Sequence, residues 1–157
     1  MYKKILLPHA GTPAGDKALE HAIYLAKFSK AQIIILHVIE EIYNVPVGLT
    51  MHYTQIESIK NQLSEIRRLS KAIMKKVMLK RVQICKKNKI KSELKIKVGD
   101  PTDEIIKIVR NQRIDLIVMA KRRKLPGIKI FLSFGSVSRK IVEHTSCPVL
   151  MVDIEKK

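Results

Sequence analysis

The chain has 157 residues and an apolar content of 46%, which is enough to bury a substantial core and excludes a disordered segment. No apolar run approaches the roughly 20 residues of a membrane helix. Its 31 Lys and Arg against 14 Asp and Glu give a formal charge of +17, a field that favours anionic partners such as phosphates, nucleic acid or acidic surfaces.

Ile5-Leu6-Leu7, closed by Pro8, reads as a short buried parallel strand. The run is too short for a secretion signal and implies a cytoplasmic chain. Gly11-Thr12-Pro13 follows, with Thr12 suited to cap a helix and Pro13 to occupy its first position. Ala18, Leu19, Ala22, Ile23, Leu25 and Ala26 then recur at helical spacing. Ile33-Ile34-Ile35-Leu36-His37-Val38 is apolar almost throughout, as expected of a strand covered by helices on both faces. Residues 40–56, with Pro46 and Gly48, read as an irregular connection or lid.

A long helix is predicted over 55–87, with Ile59, Leu63, Ile66, Leu69, Ile73, Val77 and Ile84 in one stripe at steps of three and four. Its other faces hold most of the charge, since residues 57–97 carry 14 Lys/Arg against 3 Asp/Glu. Residues 92–98 alternate charged and apolar side chains, which suits a half-exposed edge strand. Gly99-Asp100-Pro101 turns the chain into a helix containing Ile105, Ile106, Ile108 and Val109. Leu116-Ile117-Val118-Met119 is a fourth strand, residues 136–144 a last helix, and residues 148–152 (Pro148 to Val152) a last strand. Strands alternating with helices indicate one α/β unit spanning 1–157, a parallel sheet with right-handed crossovers.

Cys85 and Cys147 lie far apart without CxxC spacing, and the five histidines form no ligand-like pair, so neither a disulfide nor a metal site is expected. Lys121-Arg122-Arg123-Lys124, between the fourth strand and the Gly135-Ser136 helix start, is the strongest anion-site candidate. Free N–H groups and the helix dipole attract negative charge at such an end, and arginine forks match phosphate geometry. Thr12 and Gly11 are expected to face the same crevice, His9 offers a ring donor, and Val38 with Ile39 offers an apolar wall. No nucleophile elbow, paired carboxylates or Walker motif occurs. No catalytic residue is therefore assigned, and a weak ATPase is the most enzymatic behaviour expected.

Lys4-Ile5-Leu6-Leu7-Pro8 with Gly11-Thr12, Leu36-His37-Val38, and Val98-Gly99-Asp100-Pro101 resemble the universal stress protein family. Asp115 through Met119, Gly135-Ser136-Val137-Ser138 and Cys147 through Val152 extend that resemblance over nearly the whole chain. It implies a single three-layer domain of the adenine nucleotide alpha hydrolase type, with a five-stranded parallel sheet ordered 3-2-1-4-5. It also implies a stress-response role and a homodimer paired through the last strand, whose apolar edge the order leaves uncovered. For ATP-binding members it implies an acid after the first strand and a Gly-x2-Gly-x9-Gly-Ser/Thr motif after the fourth.

This chain departs from that pattern. Ala10 stands at the acid position, Ala120 and Arg123 at the first two glycines, and 11 residues rather than nine precede Gly135. Gly127 offers a substitute for the lost flexibility. The site implied for ATP or a related phosphate ligand thus comprises Pro8, His9, Ala10, Gly11 and Thr12; Val38; Met119, Ala120, Lys121, Arg122, Arg123 and Gly127; and Gly135, Ser136, Val137 and Ser138. The alternative is a member that binds no nucleotide and engages acidic partners or nucleic acid through its basic surface. The long helix lacks interleaved aromatics for base stacking, which disfavours nucleic acid.

Overall fold

The computed structural model describes residues 1–40, 53–121 and 135–153. Strands β1 (Lys4–Pro8), β2 (Gln32–Ile39), β3 (Ser92–Val98), β4 (Leu116–Ala120) and β5 (Val149–Val152) form one parallel sheet ordered β3-β2-β1-β4-β5. Helices α1 (Pro13–Ser29), α2 (Tyr53–Lys87), α3 (Pro101–Gln112) and α4 (Ser136–His144) connect them. The sheet order and the three layers agree with those implied by the sequence.

Strand alternation divides the core in two. Ile5, Leu7, Ile33, Ile35 and Val118 point toward α1 and α2, meeting Ala18, Leu19, Ala22, Ala26 and Cys85. Leu6, Ile34, Leu36, Ile117 and Met119 point the other way, onto Ile105, Ile108, Val109 and Ile141 of α3 and α4. The central strands are buried on both faces, which is why they read as continuous apolar runs.

The helix starts follow from local chemistry. Thr12 Oγ1 accepts from Gly15 N–H at 3.3 Å ahead of Pro13, and Asp100 Oδ1 accepts from Asp103 N–H at 3.0 Å ahead of Pro101. Such caps contribute about 1 kcal/mol each. The Asp115 carboxylate accepts the N–H groups of Lys3 and Lys4, both at 2.8 Å. These two bonds hold its carboxyl below the usual range and fix the entry of β1 beside β4.

Two boundaries differ from expectation. β5 starts at Val149 because Pro148 has no N–H to offer the ladder, although its carbonyl still accepts from Ile117 N–H at 2.9 Å. α2 starts at Tyr53, and residues other than the predicted stripe form its core face. Met78 and Cys85 are fully buried, whereas Ile66, Leu69, Ile73 and Ile84 are exposed. Ile73 and Ile84 lie close to these buried residues along the axis but about 100–140° around the helix from them, so they point away from the sheet. Residues 41–52 of the expected lid lie outside the described residues.

Candidate functional site

The sheet order reverses between β1 and β4, and a cleft of about 680 Å³ opens at the carboxyl ends of these strands. Pro8, His9, Ala10 and Thr12 line it from the β1–α1 turn, and Val38 and Glu40 from the end of β2. Met119, Ala120 and Lys121 line it from β4, and Gly135, Ser136, Val137 and Ser138 from the start of α4. The structure therefore brings together most of the residues that the sequence grouped. Gly11 adopts φ +79 and its α-carbon faces the Met74 and Met78 methyl groups instead. Arg122, Arg123, Lys124 and Gly127 lie outside the described residues.

The turn after β1 is held from below. His9 is 2% exposed; its Nδ1 accepts Gly11 N–H at 2.9 Å and its Nε2 lies 3.0 Å from Asp16 Oδ1. Because Nδ1 must accept, the proton sits on Nε2 and is donated to Asp16. Both ring nitrogens are thus used within the protein, which leaves no ring donor for a ligand. Burial pushes the His9 imidazole below its ordinary range, despite the upward pull of Asp16.

Arg81 of α2 grips the same carboxylate through Nε at 2.8 Å and Nη2 at 2.9 Å. This fork holds the Asp16 carboxyl below its usual range. Gly15 completes the arrangement, since a Cβ there would come within 2.7 Å of the His9 ring. The sequence reading missed this triad. Its signals were a glycine in the first turn of α1 and an arginine between the buried positions Met78 and Cys85.

At the opposite wall, Gly135 is the N-cap of α4 and has no side chain with which to cap the helix. Ser136 is the first helical residue and Ser138 is buried. The N–H groups of a helix's first turn have no partner within the helix, and the first turn of α4 lines the cleft. Lys121 lines the cleft, but its ammonium pairs with Asp153 at 2.7 Å. Glu40 is the sole acidic residue among the described residues of the lining, and the sequence reading had passed over it. No group of three or more His, Cys, Asp and Glu suited to a metal occurs among the described residues.

The sequence profile of the universal stress protein family matches residues 1–153. The chain belongs to this family. A universal stress protein of Bacillus subtilis is 31% identical, over 97% of this chain and 99% of its own length. The universal stress protein MJ0577 of Methanocaldococcus jannaschii is 29% identical, over 97% and 95% respectively. The solved structure of MJ0577 superposes with a TM-score of 0.80 at 27% identity, covering 100% of this chain and 99% of that one. More distant universal stress proteins share the fold. One solved in complex with cAMP is 17% identical over 97% of both chains, with a TM-score of 0.67. One from Arabidopsis thaliana with AMP bound is 23% identical over 98% of this chain and 92% of that one, with a TM-score of 0.63.

Proposed function

We propose that this universal stress protein binds an adenine nucleotide or a related phosphate ligand in the cleft, as part of a cytoplasmic stress response. Its affinity is altered by Ala10, Ala120 and Arg123, where ATP-binding members carry an acid and two glycines. The observation that supports this most is that Thr12 and the start of α4, at Gly135 and Ser136, line one cleft of nucleotide size. Phosphate oxygens would accept from the first-turn N–H groups and the Ser136 hydroxyl, while Val38 would pack against the base. Glu40, on the cleft lining, is a carboxylate suited to contact the nucleoside where Ala10 offers none. The relatives solved with AMP and cAMP lend the ligand class. The position of β5 at the end of the sheet supports a homodimer through Val149–Val152.

Calorimetric titration of the full chain with ATP at moderate salt tests the reading. Saturable one-to-one heat, weakened by Glu40→Gln and by Ser136→Ala, is expected. Absence of heat, or binding confined to polyanions with steep salt dependence, overturns it. Sedimentation equilibrium of the same sample tests the dimer.

A further inference from the structure

A second surface lies on α2, remote from the cleft lining and independent of the nucleotide reading. Ile66, Ile73, Val77 and Ile84 follow one another at steps of seven, four and seven, which sets them within about 40° around the helix axis. Ile66, Ile73 and Ile84 are 45%, 60% and 42% exposed, and Leu69 beside them is 48% exposed. Isolated exposed apolar residues are ordinary on a protein surface, but a stripe of this length along one helix is not.

The flank of the stripe is cationic. Lys76, Lys80 and Lys87 each follow a stripe residue (Ile73, Val77 and Ile84) by three positions and so stand along one side of it. Among the described residues none of these three lysines makes an ion pair. The other arginine-bearing face is occupied differently, since Arg81 is committed to Asp16.

The side-chain types select the occupant. β-branched residues at seven-residue intervals suit the seam between two packed helices. α2 holds no Trp or Phe, the residues that anchor interfacial helices in lipid and stack on bases. In an antiparallel, two-fold pairing a second copy of this chain would set its own lysines against Lys76, Lys80 and Lys87, so like charges oppose that self-pairing. We infer that the outer face of α2 docks an amphipathic helix of another protein, with an apolar seam and Glu or Asp along its flank.

The test uses the full chain and a labelled synthetic peptide of four heptads, with Leu at a and d and Glu at e and g. A peptide of the same composition in scrambled order is the control. The patterned peptide should bind saturably and about tenfold more tightly than the scrambled one, and Ile73→Glu should remove about tenfold of that affinity. Lys80→Glu should weaken it by a smaller factor, about threefold, that shrinks as salt rises. Because Ile73 is largely exposed, the variant keeps its fold, which an unchanged thermal melt verifies. Equal binding of the two peptides, or no change in Ile73→Glu, overturns the inference. So does Ile73-dependent capture by phosphatidylserine vesicles or duplex RNA in place of the peptide, or Ile73-dependent self-association in sedimentation.

Discussion

The two faces of α2 solve opposite problems with similar residues. On the inner face Met78 and Cys85 are fully buried, and the cation there, Arg81, is held by a two-point grip on Asp16. On the outer face Ile73 stays exposed and Lys80 pairs with nothing among the described residues. The difference shows that an apolar stripe on a helix reports the capacity to pack, while the neighbouring elements decide whether that capacity is used. Where a partner element exists, charge is neutralised and side chains interlock. On the side turned away from the sheet, the same periodicity is left open.

The contrast can be tested by removing one piece at a time. Met78→Ala should cost most, about 2–5 kcal/mol in urea unfolding, since it hollows the contact under Gly11 as well as the core. Equal stability of the variant would mean that the inner face is not packed as described. Arg81→Ala should cost about 1 kcal/mol, because two charge-assisted hydrogen bonds are lost but Asp16 is 42% exposed and partly rehydrated. The variant should also exchange the Gly11 amide faster.

Acid should act on the same anchorage. The folded chain holds His9 neutral below its ordinary pKa of 6.5, so the unfolded chain takes up the proton first. Stability therefore falls as pH drops below about 6.5 and levels off once the folded imidazole is also protonated. A protonated ring would aim an N–H at the Gly11 N–H and break that bond. His9→Gln should flatten this part of a plot of melting temperature against pH. Asp16 adds its own loss at lower pH, because its depressed carboxyl stabilises the fold only while ionised. The smallest effect belongs to the outer face: Ile73→Ser should shift unfolding by no more than about 0.5 kcal/mol.

Much of the fold was legible because its signals are local. Ile5-Leu6-Leu7 and Leu116 to Met119 read as strands since covering helices make both faces apolar, and Thr12-Pro13 and Asp100-Pro101 announced their helices through capping chemistry. The order of β3 and β5 at the edges came from family resemblance, not from the residues alone. The cleft lining was largely legible for the same reason. The His9–Asp16–Arg81 triad was not, because Arg81 lies 65 positions from Asp16 and nothing in either neighbourhood names the other. Gly135-Ser136 read as a helix start, and the structure sets Gly135 at the cap and Ser136 in the first turn. Exposure of Ile66 and Ile73 was also hidden, because periodicity groups residues on one side of a helix and does not say which side meets the sheet.

One guanidinium borders both surfaces of the molecule. Arg81 donates to the carbonyl of Val77, a stripe residue, at 3.1 Å, and to Asp16, which holds His9 and through it the Gly11 amide. Replacing that one side chain would therefore take away, together, a contact with the α2 backbone and a support of the turn after β1.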